Sequence, residues 1–212
     1  MKVLITGGAG YLGSVLVGRL LEKKYKVTVI DNLTYKQQSL TSYCYNKDFT
    51  FIKGDVRNIL RLVNLKDFDV IIPLAAIVGM PACDTNPELA TEINLEQIIE
   101  IVNKTSKNQQ LIIPNTNSQY GSSESIITED SPFKPLSHYA KTKCHAEKAV
   151  LESKRSGVAL RLATVFGLSP RMRLDLLVND FVYRAVTDKL LVLFQSSFKR
   201  NYIHVRDIAN TF

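Results

Sequence analysis

The chain contains no tryptophan, and only three cysteines and three histidines in 212 residues. Cys44, Cys83 and Cys144 are too few and too scattered for a disulfide framework or a cysteine-rich zinc site, so reduced thiols in a cytoplasmic protein are expected. His138, His145 and His204 make no H-x-x-x-H or HExxH pattern, so no metal site is expected. No apolar run approaches the ~18–20 residues that a membrane-spanning helix needs, and the apolar stretch opening at Met1 is too short for a signal peptide and has no cleavage site after it. Blocks of one charge sign are also missing. The net charge is +7, but the lysines are dispersed and no basic run is interleaved with aromatics, so a nucleic-acid partner is not expected.

What is present is ordinary globular composition, 45% hydrophobic and 22% charged, which excludes a disordered, collagen-like or coiled-coil chain. Short apolar runs at Lys2–Thr6, Lys26–Asp31, Phe49–Lys53, Asp69–Leu74, Gln110–Pro114 and Val158–Ala163 read as strands. Between them, amphipathic stretches at Tyr11–Lys24, Pro87–Lys104 and Ser137–Ser156 read as helices, the last with Ser137 as N-cap. This alternation predicts an α/β fold, a Rossmann-type doubly wound parallel sheet with helices on both faces. After Gly167 the pattern changes. A helix at Leu174–Thr187, short strands at Leu190–Phe194 and Asn201–His204, and a helix beginning at Asp207 are expected there. The chain is thus divided at 167 into residues 1–167, which carry the alternating pattern, and a smaller and incomplete part, residues 168–212.

The first strand runs into Thr6-Gly7-Gly8-Ala9-Gly10-Tyr11-Leu12-Gly13, with glycines at 7, 10 and 13, and a helix follows. That is the setting a dinucleotide fingerprint requires, since glycine permits the tight turn and close approach of a pyrophosphate to the helix N-terminus. Asp31 ends the second strand, where a carboxylate accepts from adenosine ribose hydroxyls and repels a 2′-phosphate, which favours NAD over NADP. Asp55, after the third strand, suits either the adenine amino group or the N-cap of the next helix. Leu74-Ala75-Ala76 ends the fourth strand with small residues against which a cofactor can lie.

Tyr139 and Lys143 stand at i and i+4, so they share a helix face. A lysine cation beside a phenol is expected to lower the phenol's pKa, and a tyrosinate can take the proton of a sugar hydroxyl while hydride leaves the same carbon.

Taken together, these segments resemble the extended short-chain dehydrogenase/reductases of the NAD-dependent epimerase/dehydratase family, which act on nucleotide-diphosphate sugars. The likeness is carried by the TGGAGYLG turn, Asp31-Asn32-Leu33, Gly54-Asp55, Leu74-Ala75-Ala76, Asn94, Tyr120-Gly121, Tyr139-x-x-x-Lys143 and Asn201-Tyr202-Ile203-His204-Val205-x-Asp207. It implies cofactor contacts at Gly7, Gly10, Tyr11, Leu12, Gly13, Asp31, Asn32, Asp55, Val56, Leu74, Ala75 and Ala76, and through Tyr139 and Lys143. Thr116, five residues before Gly121, takes the place of the family's catalytic Ser or Thr and completes a Thr116–Tyr139–Lys143 set. Asn179 and Arg200 resemble residues that contact the substrate pyrophosphate. Members that are 4,6-dehydratases carry Asp-Glu directly after the Thr, whereas Asn117-Ser118 stands here, and the thiol of some 3,5-epimerising relatives is absent at Ser118. The resemblance therefore implies an NAD-dependent nucleotide-sugar epimerase like UDP-glucose 4-epimerase, with a dehydratase, reductase or decarboxylase of the same family as alternatives. A non-catalytic NAD-binding protein is the rival from another class. A homodimer through the helices at 87–104 and 137–156 is implied as well. Arg171 and Arg173, in a crevice-side loop, read as solvated surface charge, with contact to phosphate or the sugar as the alternative, and Cys83 reads as a buried small residue.

Overall fold

A computed structural model describes residues 1–122, 126–153 and 156–212. Strands β1 (Lys2–Thr6), β2 (Lys26–Asp31), β3 (Phe49–Lys53), β4 (Val70–Pro73), β5 (Gln110–Thr116) and β6 (Ser156–Leu162) form one parallel sheet in the order β3-β2-β1-β4-β5-β6. Strand order reverses between β1 and β4, and in such sheets the ligand crevice opens at the strand C-termini beside that switch.

Alternation along the strands feeds two cores. Val3, Ile5, Val27, Val29 and Ile72 point to the face covered by α1 (Tyr11–Glu22), where they meet Leu16, Val17 and Leu20. Leu4, Ile30, Ile71, Leu111 and Ile113 point to the other face. There they meet Ile59 of α2 (Ile59–Leu62), and Ile98 and Ile101 on the far side of a helical region that reaches Lys104.

That region departs from the single helix predicted at 87–104. After a short α3 (Met80–Thr85), which the sequence pattern does not predict, the chain forms α4 (Pro87–Thr91), a π-helical turn at Glu92–Glu96 and α5 (Gln97–Lys104). The wider turn carries Asn94 inward. Its amide accepts from the Ile77 N–H and donates to the Ile77 carbonyl, both at 2.9 Å, and so fixes the loop after β4. A π turn inside a helix is often found at a functional site.

Helix α6 (His138–Glu152) begins at Ser137, whose hydroxyl accepts the Ala140 N–H at 3.1 Å as the capping pattern predicts. Of the residues predicted to end it, 154 and 155 lie outside the described residues and Ser156 opens β6 instead. Beyond β6, strand β7 (Thr164–Phe166) pairs in parallel with β8 (Tyr202–His204), with α7 (Leu177–Thr187) between them. The strand predicted at Leu190–Phe194 does not form. All five residues are exposed and none takes part in a strand pairing. An apolar run becomes a strand only by pairing, and this one joins neither the six-stranded sheet nor the β7–β8 pair. Helix α8 (Val205–Thr211) begins two residues earlier than expected and buries Val205, Ile208 and Ala209, the last in the core beside α1. This packing crosses the division at residue 167. Among the described residues no helix is long and apolar enough to cross a membrane.

Candidate active site

The glycine turn is shaped by two close approaches. Gly7 has φ +69°, and a Cβ there would lie 2.6 Å from the Ala75 nitrogen, so only glycine lets the turn lie against the end of β4. A Cβ on Gly13 would come within 2.6 Å of the Gly7 carbonyl oxygen, so α1 can run close against the turn. Gly10 is the N-cap of α1 and has no side chain to cap it. The first-turn N–H groups of Tyr11, Leu12 and Gly13 therefore have no side-chain acceptor, and the positive end of the helix faces the crevice.

Asp31 is buried at the end of β2 and braces this turn. Its carboxylate accepts from the Ala9 N–H at 3.0 Å, the Leu33 N–H at 2.8 Å and the Gln37 amide at 3.3 Å. Asn32 caps the next bend, accepting from the Thr34 N–H and hydroxyl. Of the two roles open to Asp55, the structure fills the cap. The side chain accepts the Arg57 N–H at 2.9 Å, and the Arg57 guanidinium beside it holds its carboxyl below the usual range. Val56 next to it is buried. Leu74 and Ala75 are tied to Thr6 through its carbonyl and hydroxyl, so Leu74-Ala75-Ala76 leaves β4 directly beside Gly7.

Thr116 is the last residue of β5. Its hydroxyl oxygen accepts the Ser118 N–H at 3.1 Å and keeps its own O–H free to donate. Tyr139 and Lys143 lie on α6, one turn apart. The sequence predicts that Lys143 lowers the pKa of the Tyr139 phenol, and here the structure corrects it. The Lys143 Nζ donates to the Pro114 carbonyl at 3.0 Å. Burial pushes the Tyr139 phenol up to about 12, the Cys83 thiol adds to the rise, and Arg173 is the cation that opposes it. Burial likewise brings Lys143 down to about 8, which Cys83 resists.

Cys83 is thus a neighbour of both groups. Its sulfur lies 3.3 Å from the Ile77 carbonyl and 3.9 Å from the Asn94 amide, and burial pushes the thiol up, away from a reactive thiolate. Arg173 reads from the sequence as solvated surface charge, but it acts on three tyrosines: Tyr139, Tyr11 and Tyr35. It also pairs with Asp175. Arg171 stacks over the Tyr35 ring, 4.3 Å from its centre, so the loop after Gly167 reaches the loop after Asp31. The only signal for this in the sequence is the Arg171-Met172-Arg173 spacing in a crevice-side loop.

Asn179 does not offer a free amide. One N–H goes to the Tyr11 hydroxyl at 3.2 Å and the other to the Arg173 carbonyl at 2.9 Å, while its oxygen accepts the Gly167 N–H at 2.9 Å. The Tyr11 hydroxyl in turn donates to the Gly167 carbonyl at 2.6 Å. Asn179 therefore fastens the Arg173 loop to the start of α1. Arg200 is exposed, and its neighbour Asn201 accepts from the Asn117 amide at 2.6 Å, one residue from Thr116.

A family model described as NAD dependent epimerase/dehydratase family matches residues 3–212. A Bacillus subtilis (strain 168) protein named as an uncharacterized UDP-glucose epimerase, YtcB, is 32% identical over 98% of this chain and 70% of its own length. The crystal structure of UDP-glucuronic acid 4-epimerase from Bacillus cereus, in complex with UDP-glucuronic acid and NAD, superposes with a TM-score of 0.84 at 29% identity, covering 99% of this chain and 71% of that one. The dTDP-glucose 4,6-dehydratase DesIV of Streptomyces venezuelae, with NAD bound, superposes at 0.85 and 25% identity over 99% and 70% of the two chains. The chain belongs to the NAD-dependent epimerase/dehydratase family.

Its cofactor is NAD. The residues present fit that group. Gly7 and Gly13 keep side chains out of the turn where a pyrophosphate must approach the backbone, the helix end above it is uncapped, and a buried carboxylate ends β2 where an adenosine ribose would lie.

Proposed function

We propose that this family member is an epimerase of nucleotide-diphosphate sugars, and that UDP is the nucleotide to test first. The observation that carries the reading is the Tyr139–Lys143 pair on one face of α6, beside the end of β5 where Thr116 keeps a free O–H. Bound NAD supplies reversible acceptance of a hydride from one sugar carbon. Thr116 orients the oxygen on that carbon. Tyr139 takes the hydroxyl proton as a phenolate and returns it as a phenol. Burial favours the phenol, and the Arg173 cation favours the phenolate, so the two set the proton affinity between them. Lys143 keeps two further N–H donors for a cofactor ribose hydroxyl once Pro114 has one.

Gly7, Gly10, Tyr11, Leu12 and Gly13 hold the pyrophosphate in this reading. Asp31 and Asn32 hold the adenosine ribose, Asp55 and Val56 border the adenine, and Leu74, Ala75 and Ala76 line the strand ends. Residues 1–167 form the NAD-binding part, and residues 168–212 bring Arg200 and Arg173 toward the substrate phosphates. Asn179 acts through the loop it fastens. The absence of a carboxylate at Asn117 and Ser118 supports epimerisation over 4,6-dehydration, because neither side chain can carry the proton that water loss requires. The relatives named for UDP sugars support UDP. A homodimer through α5 and α6 and a cytoplasmic setting complete the proposal, the latter supported by three unpaired cysteines.

An anomeric-proton NMR time course with NAD and UDP-glucose, UDP-glucuronic acid and the GDP, CDP and dTDP hexoses tests it. A new isomer without net NADH is the expected result. Water loss to a keto-deoxy sugar would move the chain to the dehydratases, and no conversion of any sugar would leave the non-catalytic NAD binder.

A further inference from the structure

Glu147 is almost fully buried, at 2% exposure, and its carboxylate meets four donors. Arg161 places Nε at 2.9 Å and a terminal nitrogen at 2.5 Å on one oxygen. The Asn115 amide at 2.5 Å and the Gln119 amide at 3.2 Å meet the other. A buried ion pair is weak support for stability alone, since well-packed apolar side chains often do as well. The origin of these donors is what matters. Glu147 lies one helical turn beyond Lys143 and two beyond Tyr139 on α6. Asn115 immediately precedes Thr116, and it stands opposite Arg161 in the β5–β6 register, so both side chains leave the sheet toward α6. Gln119 and Tyr120 belong to the turn that Thr116 caps, and the Tyr120 hydroxyl accepts from Arg161 at 2.6 Å.

Asn115 joins the two halves. Its amide nitrogen donates to the Lys143 carbonyl at 3.2 Å as well as to Glu147, and its oxygen accepts the Thr116 N–H at 2.9 Å. One side chain is therefore bonded to the peptide of Thr116 and to the peptide of Lys143. Any slide of α6 along the end of β5 breaks the bonds to Lys143 and Glu147 together, while the bond to the Thr116 N–H stays with β5.

We propose that Asn115, Glu147 and Arg161 form a positioning unit that sets Thr116 against the Tyr139–Lys143 face of α6. It rests on the epimerase reading for its consequence and on the geometry alone for its existence. A misplacement of about 1 Å costs turnover on the order of 100-fold.

The test uses Asn115→Asp, which sets two carboxylates against each other, and the pair Asn115→Asp with Glu147→Gln. In the pair, the amide introduced on α6 donates to the carboxylate introduced on β5, while the amide oxygen still accepts from Arg161. The Gln119 amide, whose oxygen is buried without a partner, can turn to accept the second N–H. With whichever sugar nucleotide the wild type converts, Asn115→Asp is expected to lose about 100-fold in kcat, with KM and NAD affinity within about threefold of wild type. The double variant restores the contact between residues 115 and 147 but not the donor to the Lys143 carbonyl, so it is expected to regain only part of the loss. A kcat that stays at the wild-type level, or one that falls only in step with NAD affinity and melting temperature, would overturn the unit. A second arm needs no turnover. In Asn115→Ala, amide hydrogen exchange at Thr116 is expected to quicken at least tenfold while the amides of β1 are unchanged. Unaltered exchange at Thr116 overturns the unit even if the wild type converts no sugar, an outcome that would separately sink the epimerase reading.

Discussion

In the proposed reaction Tyr139 gives up a proton from a place where burial resists it, with its pKa at about 12, and the cation that helps is Arg173. Replacing Tyr139 with Phe removes the group that moves the proton and leaves the packing nearly intact. Turnover is expected to fall by about 10²–10⁴-fold with NAD affinity unchanged, which steady-state kinetics and a binding titration would read. Lys143 makes the complementary prediction. Its folded pKa of about 8 lies below the ordinary 10.5, so the unfolded chain binds this proton more tightly. Below pH 8 the protein carries the full penalty. Stability should climb as pH rises from about 8 to 10, and above that the climb is opposed and then reversed as the unfolded Tyr139 ionises first. Lys143→Met is expected to remove the climb and to change stability near pH 7 by a gain of at most about 3 kcal/mol, as urea unfolding at pH 7, 9 and 10 would show. The Tyr139–Lys143 pairing was legible because helix periodicity is local. The direction of the phenol's shift was not, because it depends on which distant segments cover the ring, and Cys83 and Arg173 arrive from α3 and from the loop before α7.

At the scale of elements, the six sheet strands could be read because each is a short apolar run bounded by polar residues, and their parallel, doubly wound arrangement followed from βα alternation. The glycine turn was legible for a related reason: Gly7 and Gly13 answer to backbone approaches that no other residue permits. Gly7→Ala sets a Cβ against the Ala75 nitrogen at φ +69°. It is expected to cost about 1–3 kcal/mol of stability and to weaken NAD binding, read by thermal melts with and without NAD. Sequence pattern failed where tertiary partners decide. Leu190–Phe194 has strand composition and pairs with neither sheet. The π turn around Asn94 leaves the i, i+3, i+4 pattern of Pro87–Lys104 almost unchanged, yet it decides whether the amide reaches Ile77. Asn94→Ala would leave both Ile77 backbone groups without these bonds and is expected to destabilise by about 1–3 kcal/mol. Protection from hydrogen exchange should be lost first in the loop between β4 and α3.

Across the whole molecule, the question is whether residues beyond 167 fold as a separate piece. Three couplings say that they do not. Tyr11 on α1 bonds the Gly167 carbonyl, Ser14 and Ser169 share a hydrogen bond at 3.0 Å, and α8 returns to the α1 face of the sheet with Ile208 at 1% exposure. The first two join the start of α1 to the loop carrying Arg171 and Arg173, so the helix end above the glycine turn and the arginines across the crevice are held by one set of bonds. The third makes the core beside α1 incomplete without the last helix. Ile208→Ala removes a fully buried side chain from α8, and a buried truncation of this kind costs about 2–5 kcal/mol. If the two parts unfolded independently, that loss would shift one of two transitions and spare NAD binding. Because α8 packs on α1, whose N-terminus is the proposed pyrophosphate site, a single calorimetric transition is expected, moved to lower temperature as a whole. NAD should raise the melting temperature of the variant and of the wild type alike, since ligand bound to the folded form stabilises everything that folds with it.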